Sequence, residues 1–145
     1  MLSKIKKLFV LIGFFTFLLF QSSVSFGSDN LKKYLIQFID SKNYPYHLLD
    51  DNFKVYFQQG ELVLGLNKDE LKSLYDEQNK MIEEIETKNF KILGRIDTKS
   101  FTSVTYEYDY SMIAGNMKIS GKMVSHSILK KTGNTWKTIF ETASQ

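Results

Sequence analysis

Between Phe101 and Ala143 the chain alternates polar and apolar residues through three long runs broken by two short glycine-centred segments. The runs are Phe101 to Met112, Met117 to Lys131 and Thr135 to Ala143. The breaks, Ala114-Gly115-Asn116 and Thr132-Gly133-Asn134, carry the residues that tight hairpin turns favour, because such turns need positive φ. Side chains along a strand point to alternate faces. Val104, Tyr106, Tyr108 and Tyr110 are therefore expected on one face, with Thr105, Glu107 and Asp109 on the other. In the last run Trp136, Thr138, Phe140 and Thr142 are expected on one face and Lys137, Ile139 and Glu141 on the opposite one. A further strand is expected within Met81 to Ile96, with a break around Thr87-Lys88-Asn89. The chain is thus constrained to a four-stranded antiparallel sheet, with everything before it covering one face.

That preceding part reads as helices and a hairpin. Leu31, Tyr34, Leu35, Phe38 and Ile39 recur at helical spacing after the capping oxygens of Ser28-Asp29-Asn30. This helix is expected to end near Ser41 to Asn43, ahead of Pro45. A short second helix is expected over Tyr46 to Asp51. Phe53, Val55 and Phe57 then alternate with polar neighbours. After a turn at Gln59-Gly60, Leu62, Leu64 and Leu66 do the same, which is a hairpin pattern. Asn67 and Glu70 have capping-box spacing and open a helix carrying Leu71, Leu74, Tyr75 and Gln78. It is expected to end near Asn79. No repeat or linker divides the chain, and 145 residues fit one domain.

The first stretch stands apart. Lys4, Lys6 and Lys7 precede the apolar run Leu8 to Phe20, and small polar residues follow from Gln21 to Ser28. This is the three-part layout of a secretory signal peptide. The apolar run is shorter than the roughly 20 residues that span a bilayer. Residues 1–27 are therefore expected to be removed after Ser25 or Gly27, leaving 28–145 as the domain in the periplasm or outside the cell. Membrane contact is expected only through this segment before cleavage. No cysteine is present to carry a lipid.

Three of the 19 lysine-plus-arginine residues lie in that segment and none of the 16 acids does. The remaining chain is close to neutral and has no basic stripe for nucleic acid. Arg95 is its one arginine, which disfavours bidentate phosphate or carboxylate recognition. Without cysteine, and with only His47 and His126, no zinc-ligand spacing exists. No cofactor and no metal is expected.

The order of helix, short helix, hairpin, helix and long antiparallel strands resembles the nuclear transport factor two-like superfamily, and within it the SnoaL-like bacterial domains. Tyr46 to Phe53 resembles the family's lead into its first strand, Gly65 to Leu71 its glycine and helix start, and Ile128 to Thr138 its final hairpin. Thr142-Ala143-Ser144 resembles the small, polar end of its last strand. The resemblance implies a cystatin-like α+β cone, a bent antiparallel sheet wrapped around two to three helices, with a pocket at the open end. It also implies a functional range from isomerases, dehydratases and cyclases to non-catalytic modules, so fold alone assigns no function.

Candidate pocket residues are Tyr106, Tyr108, Tyr110, His126, Trp136, Phe140 and Asp51. An isomerase-type site needs a carboxylate base and an oxyanion donor converging on one substrate, yet Glu107 and Asp109 are expected to face away from the tyrosines. Arg95 and Asp97 read as a surface ion pair. Asp50-Asp51-Asn52 reads as turn or cap rather than a calcium loop, since the required glycine and distal glutamate are missing. The first expectation is an exported, non-enzymatic module for a small apolar ligand or a protein partner, with no assigned catalytic residue and a possible homodimer through the sheet. The alternatives are a small-molecule isomerase, dehydratase or cyclase using a pocket His or Asp with a Tyr, and an envelope-assembly scaffold.

Overall fold

A computed structural model of the chain describes residues 28–39, 44–59 and 61–144. The expected signal segment, most of the first interhelical loop and Gly60 of the hairpin turn lie outside these residues. In order the elements are α1 (Ser28–Ile39), a 3₁₀ turn (Tyr46–Leu48), β1 (Leu49–Gln59), β2 (Leu62–Asn67), α2 (Lys68–Asn79), β3 (Glu84–Asp97), β4 (Phe101–Ala114), β5 (Met117–Thr132) and β6 (Thr135–Ser144).

The six strands form one sheet in the order β2-β1-β6-β5-β4-β3. Four junctions are antiparallel, and β1 pairs with β6 in parallel. The sheet is therefore mixed, and the early hairpin is part of it. The short helix expected over Tyr46 to Asp51 is a single 3₁₀ turn, because Leu49 already pairs with Thr138. The capping box of α2 is present: Asn67 Oδ1 accepts from the backbone of Asp69 and Glu70, and Glu70 accepts from Asn67 N. The break in β3 is a pair of register shifts around Lys88–Lys91 and Ile92–Gly94, with Asn89 at φ 56°. Such bulges bend a strand and increase its twist.

Both helices cover one face of the sheet. Leu31, Tyr34, Leu35 and Ile39 of α1 pack on Val104, Tyr106, Tyr108 and Tyr110 of β4 and on Met123 and Leu129 of β5. Leu71 of α2 packs with Tyr44, Leu49, Phe53, Val55, Phe57 and Ala143. Burial alternates regularly along β4, with its even-numbered residues inward. The Tyr34 hydroxyl ties α1 to the sheet. It shares a hydrogen bond with Thr138 Oγ1 at 2.9 Å and donates to Leu48 O at 3.2 Å.

β6 does not alternate throughout. Leu129 pairs with Thr138, but Ile128 pairs with Phe140, so Ile139 is an extra residue. This bulge reverses the face on which the rest of the strand points. The expected grouping of Trp136 and Thr138 with Phe140 and Thr142 is thereby corrected. Thr138, Glu141 and Ala143 are buried on the helix side, and Phe140 packs on the opposite face against Tyr56, ring centroids 5.8 Å apart.

Candidate functional site

The bulge delivers Glu141 into the interior. Its partners in register are Ser127 on β5 and Val55 on β1, so its side chain stands in the inner layer between strands that present only apolar and hydroxyl groups. Glu141 is 9% exposed. Tyr106 Oη donates to its Oε1 at 3.4 Å, and Ser127 Oγ donates to the Tyr106 oxygen at 3.5 Å. Ser125 Oγ lies by the same carboxyl but is buried without a hydrogen bond of good geometry.

A small cavity opens beside the carboxyl. Its walls are Phe38 and Ile39 from α1, Tyr44 just ahead of the 3₁₀ turn, Val55 and Phe57 from β1, Leu71 and Tyr75 from α2, and Tyr108 from β4. Tyr44 and Tyr75 stack with centroids 4.6 Å apart, and Phe38 meets Tyr44 edge-on at 5.4 Å. The free space is about 20 Å³, room for about one water-sized group. Burial pushes the Glu141 carboxyl up to about 7, against the opposing hydrogen bonds of its hydroxyl neighbours. Burial, reinforced by the charge of Glu141, raises the phenols of Tyr44, Tyr75 and Tyr106. Tyr108 is raised by burial and then by its neighbouring phenols and Glu141.

The residues singled out in the sequence fall in three places. Tyr108 lines the cavity and Tyr106 holds its carboxyl. Tyr110 is buried farther along β4, its ring over Gly121, where an added Cβ would meet it at 3.0 Å. Trp136 faces inward but at the other end of α1, packing on Tyr34 at 5.7 Å and donating to Thr102 Oγ1 at 3.1 Å. Phe140, His126 and Asp51 do not reach the cavity. Phe140 is turned out by the bulge. His126 lies between the inward Ser125 and Ser127 on β5, so it points to the outer face. There its Nδ1 is 2.9 Å from Thr105 Oγ1 and its Nε2 3.3 Å from Ser103 Oγ. Partial burial lowers its pKa. Asp51 is at the start of β1, its side chain 99% exposed beside Lys68.

Glu141 is the site residue that strict alternation missed. The signal was present in the adjacent apolar pair Ile139-Phe140, which breaks the period of two between Thr138 and Glu141. The ion pair of Arg95 and Asp97 exists at 2.6 Å. It belongs to a larger network, because Thr102 donates to Asp97 at 2.7 Å and Lys131 approaches it at 3.4 Å. Among the described residues no group of three acids or histidines could hold a metal, and no helix is long and apolar enough to cross a membrane.

Solved structures share this architecture. A dehydratase candidate of the NTF2-like family from Streptomyces avermitilis superposes with a TM-score of 0.63 at 14% identity, covering 79% of this chain and 93% of that one. The fold is the nuclear transport factor two-like cone. A ketosteroid isomerase-like protein from Erwinia carotovora atroseptica shares that cone with a TM-score of 0.61 at 14% identity, covering 79% and 89%. A conserved protein from Planctomyces limnophilus does so with 0.64 at 8% identity, covering 79% and 92%. No protein-family profile and no curated sequence matches the chain. At these identities the likeness extends to the nuclear transport factor two-like architecture and not to an activity.

Proposed function

We propose that this chain is an exported, non-enzymatic binding module that takes a water-sized polar group of a small-molecule ligand into the tyrosine-lined cavity, with Glu141 as its polar anchor. One observation carries the reading: a single buried carboxyl faces an aromatic cavity that has no histidine and no second acid in its walls. Ligand sites combine mostly apolar walls with a few placed polar groups. Acid–base turnover needs a second group converging on the substrate. Asp51 and His126 are elsewhere, and the phenol of Tyr106 already engages the carboxyl. Export is supported by the three-part layout of residues 1–27. Pairing of two copies through the outer face, where Phe140 and Tyr56 are partly exposed, is the partner arrangement we propose.

Native mass spectrometry of the protein purified from its own host tests this. The expected species carries a small organic molecule that Glu141→Ala releases. A ligand-free dimer, or a complex with another envelope protein, overturns the ligand reading and favours an assembly scaffold.

The contact between Glu141 and Tyr106 favours one second reading, an enzyme of the isomerase, dehydratase or cyclase type. A carboxyl near neutrality suits a base or acid, and a raised phenol suits an oxyanion donor. Two of the structural neighbours carry such descriptions, a dehydratase candidate and a ketosteroid isomerase-like protein. Turnover of enolisable ketones that Glu141→Gln abolishes while leaving the fold intact would replace the binding reading with this one.

A further inference from the structure

Among the described residues the carboxyl of Glu141 has no cationic partner. Facing it are Tyr34, Phe38 and Ile39 from α1, Tyr44, Val55 and Phe57 around β1, and Tyr75 from α2. Tyr106 and Tyr108 from β4 and Ser125 and Ser127 from β5 complete its surroundings. None of these is lysine, arginine or histidine. An acid in such a place either keeps its proton or waits for a positive charge.

We propose that the cavity takes the ammonium head group of a small primary amine, with Glu141 as its counter-ion and Tyr44, Tyr75 and Tyr108 as its aromatic wall. This rests on the binding reading above and names the ligand class. Two features converge on it. Aromatic walls attract cations, through the negative potential of the ring faces. The space of about 20 Å³ fits an NH₃⁺ group, which is close to water in size, and excludes a quaternary one.

A neutral carbonyl ligand fits less well. It would accept one hydrogen bond from protonated Glu141 and leave the aromatic wall without an electrostatic role. The two classes also have opposite proton linkage. The amine cation binds the carboxylate, so protonated Glu141 must release one proton to solvent for each ammonium bound. The carbonyl requires that proton to stay.

The protein as purified from its host is titrated calorimetrically with propylammonium chloride, tetramethylammonium chloride and cyclohexanone at pH 6 and pH 8. The expected result is propylammonium binding that tightens about tenfold between the two pH values, as a carboxyl titrating near neutrality implies. Tetramethylammonium should not bind, and Glu141→Gln should weaken propylammonium at pH 8 by tenfold or more. Circular dichroism checks that this variant is folded, and the wild-type pH dependence stands without it. Cyclohexanone binding that weakens from pH 6 to pH 8 would overturn the amine assignment while leaving the binding module intact. Propylammonium binding unchanged by pH or by Glu141→Gln would overturn it as non-specific. Absence of binding by all three probes would overturn both.

Discussion

Thr138 and Glu141 are three residues apart on one strand, yet both side chains point into the same buried layer. In a regular strand they would face opposite ways. The unpaired Ile139 between them makes the difference, and it sets a hydroxyl that anchors α1 beside a carboxyl that anchors the cavity.

Deleting Ile139 should therefore do more than remove an apolar side chain. A one-residue slip moves a whole strand face, so either Thr138 or the Glu141–Ala143 pair must turn outward. We expect a loss of several kcal/mol, on the order of a large core truncation. Denaturant unfolding of the deletion variant measures it, and Ile139→Ala, which keeps the extra residue, should be far milder.

Glu141 should make stability depend on pH. Its folded carboxyl titrates at about 7 against an ordinary 4.5. Between those values the folded state retains a proton that the unfolded state has lost, so stability falls as pH rises through this window and levels off above it. The difference corresponds to about 3 kcal/mol. Glu141→Gln should match the wild type near pH 4 and exceed it by about that amount at pH 8. Melting curves across pH 4 to 8 check this, and a wild type as stable at pH 8 as at pH 5 would contradict it.

Tyr34→Phe removes the hydroxyl shared with Thr138 and donated to Leu48 O. Both partners are left in or near the core, so the expected loss is about 1–3 kcal/mol. Adding Thr138→Val should recover part of it by removing one orphaned group. Chemical denaturation of the two variants and the double variant gives the coupling directly.

Asp97 carries the opposite sign. Burial opposes its ionisation, but Arg95, Thr102 and Lys131 together hold its carboxyl below the usual range. Its contribution is present above the unfolded carboxylate pKa and is lost as pH falls through the lowered folded value. Asp97 is partly exposed, so Asp97→Asn should cost no more than about 1 kcal/mol at pH 7. Because Thr102 bonds both Asp97 and the Trp136 indole, the variant should also shift Trp136 fluorescence, which a detached surface pair would leave unchanged.

The sheet was legible in the sequence where hydrophobic period and turn chemistry agreed. Gly115 and Gly133 sit at φ 58° and 59° in the two turns that were expected, and the tyrosines of β4 all face inward as their spacing predicts. The cap at Asn67 and the irregularity near Asn89 were readable for the same reason, since each has a local residue signature. The parallel pairing of β1 with β6 was not, because strand neighbours distant in sequence leave no local mark. The site was only half legible. Tyr106 and Tyr108 follow from alternation, but Glu141, Phe140 and His126 depend on a bulge and on which face the helices choose. Both are decided by tertiary packing.

The place of β6 in the sheet has a consequence for the order of assembly. It lies between β1 and β5, although it follows both in sequence. The hairpin of β1 and β2 has no strand to join until β6 has docked, and the carboxyl that lines the cavity arrives with that same strand. Closure therefore depends on contacts of high sequence separation, which makes for slow folding. The two halves of the sheet therefore meet, and the cavity gains its carboxyl, in one and the same step, the docking of β6.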